Sequence, residues 1–195
     1  MFSSQKTKTD IILLIYKDIR SVFRLRDIAL IAGESNFQSL NKKLNYYVHK
    51  GKLQNPRKGL YTKPGYKHEE LACCIYTPTY ISLEYVLQKA GIIFQYDTRI
   101  TSVSYLSRTI LVEKESYSFR KLKGELLVNT AGIIRQNNYI NIASAERAFI
   151  DMLYLEKAYY FDNLKPLNKE LITKLLPIYQ SESLTQRVTK LLLNG

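Results

Sequence analysis

Between residues 10 and 64 the apolar residues recur three times at helical spacing and then break into two short strand-like pieces, with Gly33, Gly51 and Gly59 at the breaks. Ile11, Leu14, Ile15 and Ile19 share one face, which predicts a first helix over 10–20. Val22-Phe23-Arg24 is short and β-prone. A second helix is expected over 25–32, with Leu25, Ile28, Ala29 and Ala32 on one side and Gly33 as its stop. Its N-cap position carries Arg24 rather than Ser, Thr, Asp or Asn. The third helix starts near Asn36, capped by Ser35 or Asn36, and runs to Lys50, with Gly51 ending it. Residues 53–56 and 60–63 then flank Arg57-Lys58-Gly59 as a β-hairpin. Helix, short strand, helix, helix, hairpin is the order of a winged helix-turn-helix.

Past Pro64-Gly65 the pattern changes. Thr77-Pro78 is expected to open a helix over 80–90, and residues 99–128 alternate like strands. Ser144 caps a helix expected over 145–159, with Ala148, Phe149, Met152 and Leu153 inward and Glu146 in its first turn. From Asn168 onward the chain reads as helical with a break at Pro177. The expected fold class is therefore α+β. A winged helix-turn-helix domain covers 1–66, and a mixed α/β domain with a small sheet and helices covers 67–195.

The 195 residues, 46% hydrophobic and 24% charged, can bury a core, which excludes wholesale disorder. No apolar run exceeds six residues, against the ~18 that a membrane span needs. Residues 1–10 lack the apolar stretch of a secretory signal. The adjacent Cys73 and Cys74 can build neither a disulfide framework nor a paired-cysteine metal site, and are expected to pack as small apolar residues. A reduced, cytoplasmic protein is expected. Its charge is segregated. Residues 1–67 hold 14 bases and 4 acids, net +10, whereas residues 68–195 hold 15 bases and 13 acids, net +2. A polyanionic partner, nucleic acid first, follows from such a split.

At ~100° per residue, Phe37, Leu40, Leu44, Tyr47 and Val48 form the inward stripe of the third helix. The opposite arc carries Ser35, Gln38, Ser39, Lys42, Tyr46, His49 and Lys50, and no acid. Gln can bond an adenine edge twice, Lys reaches guanine acceptors or phosphate, and Ser bonds either. Gln38, Ser39 and Lys42 are the expected base readers, with Lys43, Tyr46 and Lys50 nearer the DNA backbone. Arg57 and Lys58 at the hairpin tip are wing candidates, and Arg24 and Arg26 are phosphate candidates. Nothing points to catalysis. The chain has no GxxxxGK[ST], GxGxxG or HExxH, and no cofactor is expected. His49 and His68 are expected at the surface. Glu113 and Glu115 read as an exposed polar strand face, and Glu69, Glu70 and Glu146 as acids at helix N-termini.

The segments FRLRDIALIAG, LNYYVHKGKLQNPRKGLYTKPG, TPTYISLEYVLQKAGII and INIASAERAFIDMLYL together resemble the AbiEi family of antitoxins. The likeness spans residues 10–165, and Tyr80-Ile81-Ser82-Leu83-Glu84 and Ser144-Ala145-Glu146-Arg147-Ala148, leading into Asp151, are its more specific parts. The family accompanies nucleotidyltransferase toxins in type IV toxin–antitoxin (abortive infection) systems of bacteria. The resemblance implies an N-terminal winged helix that represses its own operon at double-stranded promoter DNA, with inverted repeats as targets. It also implies a C-terminal domain that counteracts the toxin without a tight complex. Because basic patches contribute to antitoxicity in the family, Arg120, Lys121 and Lys123 are the candidates here. A stand-alone winged-helix regulator and a DNA-acting nuclease are the competing readings.

Overall fold

The computed structural model describes residues 10–194; residues 1–9, which carry most of the reading against a secretory signal, lie outside them. The fold is α+β, built of helices and two small sheets.

Helix α1 (Ile11–Lys17) is shorter than its periodicity predicts. The Asp10 carboxylate caps it by accepting from Ile12 N–H. It stops because the Asp18 side chain folds back onto Arg20, accepting from its backbone N–H at 2.9 Å and from its guanidinium at 2.6 and 3.0 Å. Ile19 therefore leaves the apolar face and is 67% exposed, and Ile11, Ile12 and Ile15 are the buried residues. Strand β1 (Val22–Arg24) leads into α2 (Leu25–Ala32), where the Asp27 carboxylate, reaching back to Arg24 N–H, supplies the missing cap. Gly33, at φ +60°, ends the helix. Helix α3 (Phe37–His49) is capped by Asn36, whose Oδ1 accepts from Ser39 N–H. Strands β2 (Gln54–Arg57) and β3 (Leu60–Thr62) form the hairpin, and the three strands pair antiparallel in the order β1-β3-β2. Ile15, Phe23, Ile28, Leu40 and Leu44 are fully buried between helices and sheet.

After α4 (His68–Ile75), the expected helix over 80–90 is divided. Thr79–Ile81 is strand β4, and only Glu84–Lys89 is helical, as α5. Tertiary pairing overrides local periodicity here, because β4 lies in the middle of a six-stranded sheet. Its other strands are β5 (Ile100–Ser104), β6 (Arg108–Val112), β7 (Glu115–Lys121), β8 (Ile133–Arg135) and β9 (Asn141–Ala143). The order is β6-β7-β5-β4-β9-β8, with parallel pairs β5–β7 and β4–β9 and the others antiparallel. Short α6 (Gly124–Val128) follows β7. Helix α7 (Ala145–Leu155), capped by Ser144, ends before the expected residue 159 but buries Ala148, Phe149, Met152 and Leu153 as its pattern requires. Helices α8 (Lys169–Leu175) and α9 (Glu182–Asn194) are separated by a 3-10 turn containing Pro177. No helix among the described residues is long and apolar enough to cross a membrane.

The two sheets carry two hydrophobic clusters, and residue 66, where the sequence predicts a boundary, lies between β3 and α4. The seam is built, not loose. Val22, Leu60 and Tyr66 belong to the larger cluster. Glu70 is not a solvated helix acid. It is 1% exposed and accepts from Ser21 N–H, Ser21 Oγ and Val22 N–H at 2.7–2.9 Å. A buried carboxylate so bonded fixes β1 against α4, because each donor left unpaired would cost about 1–3 kcal/mol.

Candidate nucleic-acid interface

The exposed side of α3 is set by its buried one. Leu40 and Leu44 are fully buried, and Tyr47 and Val48 partly so. This turns Gln38, Lys42, Tyr46, His49 and Lys50 to solvent, with Ser39 half-buried. Phe37 departs from the inward stripe and is 47% exposed, because the first residue of the helix overhangs the groove below the hairpin. Two further bonds fix the helix. Asn41 Oδ1 accepts from the Tyr61 hydroxyl at 3.0 Å, tying α3 to β3. The Tyr47 hydroxyl donates to Asp10 at 2.5 Å, a bond that pushes the phenol up to about 12 and holds the Asp10 carboxyl below its ordinary range. Asn45 also faces outward on α3, although it is not among the expected base readers. It is exposed, and at ~100° per residue it lies about 20° from Gln38, so periodicity alone could have found it. Asn bonds adenine as Gln does.

The hairpin is held in place at its tip. Gly59, at φ +80°, makes the turn, and its carbonyl accepts from Leu25 N–H at 3.1 Å. Pro56 cannot donate to the ladder, and the pairing shifts register between Gln54 and Arg57. Asn55 Nδ2 compensates by donating to Leu60 O at 2.7 Å. Arg24, Arg26, Phe37, Arg57 and Lys58 line a groove of about 360 Å³ between the hairpin tip and the starts of α2 and α3.

The expected cations are not equally free. Arg26 and Lys58 are exposed. Arg57 is half-buried and lies 5.9 Å from the Tyr76 ring centroid, while exposed Lys50 lies 5.8 Å from that of Tyr46. Lys43 is paired with Glu34 at 3.1 Å. The Arg24 guanidinium donates to the Cys74 carbonyl, at 2.9 and 3.1 Å, and to the Thr77 hydroxyl. Arg24 and Lys43 thus have partners within the protein, unlike Arg26 and Lys58. The four acids of this region are engaged as well: Asp10 with Tyr47, Asp18 with Arg20, Asp27 with Arg24 N–H and Glu34 with Lys43. No acid stands on the outward face of α3.

Elsewhere the expected residues scatter. Arg120 pairs with Glu156 at 2.6 Å, while Lys121 and Lys123 are exposed at the end of β7 and the start of α6. Glu113 lies in the β6–β7 turn at φ +56°, so it shares no strand face with Glu115. His68 is half-buried, with Nδ1 2.9 Å from the Tyr117 hydroxyl, rather than a free surface side chain. Burial pushes the thiols of Cys73 and Cys74 up to about 12 and about 11, which keeps them protonated. Among the described residues no three His, Cys, Asp or Glu side chains gather as metal ligands would. No protein-family model and no curated protein matches this chain, so the basic face of α3 and the hairpin carries its functional reading.

Proposed function

We propose that this protein binds double-stranded DNA through a winged helix-turn-helix, with α3 in the major groove and the β2–β3 hairpin as its wing. What carries the reading is the acid-free outward face of α3 beside a basic hairpin, in a region whose acids are all engaged internally. Gln38, Ser39, Lys42 and Asn45 read base edges, and Arg26, Tyr46, Lys50, Arg57 and Lys58 hold the backbone. Gln38→Ala and Lys42→Ala should each cost about 1–3 kcal/mol on the cognate operator and much less on random duplex. Lys58→Ala should weaken both alike and make the salt slope shallower by about one unit. Gel shifts on the full chain with both duplexes decide it. Specificity lost at the hairpin and kept at the helix would make the wing the reader.

The resemblance to AbiEi antitoxins supports a second half of the proposal. The protein represses its own operon, and residues 67–195 counteract a nucleotidyltransferase toxin encoded beside it, with Lys121 and Lys123 as the exposed basic candidates. Co-expression with the adjacent gene on a foreign promoter tests this half. Wild type should restore growth, and a Gln38→Ala/Lys42→Ala/Lys58→Ala variant should restore it equally while losing repression. Growth arrest despite wild type would remove the antitoxin half and leave DNA binding standing.

A further inference from the structure

Two adjoining cavities run along the seam between α4, the β8–β9 hairpin and the DNA-binding part of the chain. One, of about 370 Å³, lies against Pro78, Tyr80, Leu127, Val128 and Ile133. The other, of about 240 Å³, is walled by Arg20, Arg24, Asp27, Glu70, Asn138 and Tyr139. Cys73, Thr77, Arg135 and Asn141 border both, so the two adjoin. The larger alone reaches the size of small-molecule pockets, roughly 300–1,000 Å³, and the smaller extends it.

The lining divides by chemistry. The larger cavity is mainly apolar. The smaller one is polar, lined by Arg20, Arg24, Arg135 and Asn138 together with Asp27 and Glu70. Asn138 is only 7% exposed, and its Nδ2 has no hydrogen-bond partner. An unpaired buried N–H is a standing cost that a ligand oxygen would remove. Arg135 is exposed and has no carboxylate partner among the described residues. Its guanidinium lies 5.0 Å from the ring centroid of Tyr139, and that of Arg20 lies 5.1 Å from the same ring. Tyr139 takes a left-handed backbone, φ +64°, to sit there. Such a conformation in a side-chain-bearing residue is held only by its surroundings. Of the acids in the wall, Glu70 accepts through both oxygens from Ser21 and Val22, and Asp27 accepts from Arg24 N–H through Oδ2.

We propose that this seam binds a small amphiphilic anion, with a carboxylate or phosphate against Arg135 and Asn138 and a short apolar body between Leu127, Val128 and Ile133. Arg24 and Cys74 border both this cavity and the groove below the hairpin tip, so the occupant sits one residue from the basic face.

Calorimetric titration of the full chain, without DNA, tests the site independently of the DNA-binding reading. The probes are hexanoate, hexyl phosphate, inorganic phosphate and hexanol. Hexanoate or hexyl phosphate should bind one site about tenfold or more tighter than hexanol or inorganic phosphate, and the tighter of the two identifies the oxyanion. Arg135→Gln, an exposed change that leaves both hydrophobic clusters intact, and Asn138→Ala should each weaken that binding about tenfold. Equal binding of hexanol, binding unchanged in both variants, or no binding of either anion at millimolar concentration would overturn the proposal.

Discussion

Raising monovalent salt from 50 to 200 mM should weaken binding of this protein to duplex DNA by roughly 500-fold, as counterions released from the phosphates lose their entropic advantage. The size of the effect follows from which cations remain free. Arg26, Lys42, Lys50 and Lys58 are exposed and Arg57 is half-buried beside the groove, whereas Arg24 and Lys43 are spent on Cys74, Thr77 and Glu34. About five phosphate contacts give a slope of log K against log salt of roughly −4.5. Fluorescence anisotropy with a labelled duplex across that range measures it. A slope of roughly −6 or steeper would show that Arg24 and Lys43 leave their partners on binding, and a slope near zero would remove the electrostatic model.

Asp151→Ala should lower the unfolding free energy by about 3–5 kcal/mol, because it leaves a buried charge unpaired. Arg147 and Asp151 are both 0% exposed on α7, and Arg147 Nε lies 3.4 Å from Asp151 Oδ1. Burial pushes the Asp151 carboxyl up, and Arg147 with the hydroxyls of Tyr179, Ser82 and Tyr80 opposes that push. Those hydroxyls donate to the carboxylate at 2.6–2.9 Å, and Arg147 also donates to Tyr80 Oη, Leu126 O and Ala131 O. Removing the carboxylate strands the three hydroxyls at once and leaves the Arg147 charge without its counter-ion. In thermal unfolding the loss should read as about 10–15 °C in a chain of this size. The double change Arg147→Met/Asp151→Leu should recover much of it, since apolar replacement of a buried pair is often nearly neutral. DNA affinity measured well below the unfolding transition should be unchanged, because the pair lies in the larger cluster, away from α3. A loss under about 1 kcal/mol would show that the carbonyls of Leu126 and Ala131 satisfy Arg147 alone.

Elements that bury one regular face were legible from residue order. Helices α2 and α3, the hairpin around Gly59, the start of α7 at its Ser144 cap and the break at Pro177 lie where periodicity and capping put them. The outward arc of α3 was legible for the same reason. An apolar stripe every three to four residues leaves only one orientation that hides it from water. Asn45 lay on that arc and could have been read from it.

Long-range pairing was not legible. Thr79–Ile81 and the helix after it look alike in local pattern, and β5 and β9 on either side decide which is strand. Glu70 read as a solvated helix acid until Ser21 and Val22, 49 and 48 positions away, supply its donors, and nothing in local pattern paired Asp151 with Tyr80 and Tyr179, 71 and 28 positions away. Arg24 is the plainest case. Beside Arg26 it is one more cation, and only the return of α4 against β1 brings the Cys74 carbonyl within 2.9 Å and gives it a partner. Sequence alone determined which faces are apolar and where the positive charge is concentrated, because both are properties of order and count. Which charges are free to act was decided by tertiary structure, because a charge is neutralised by what folds next to it, and that neighbour is rarely adjacent in the chain.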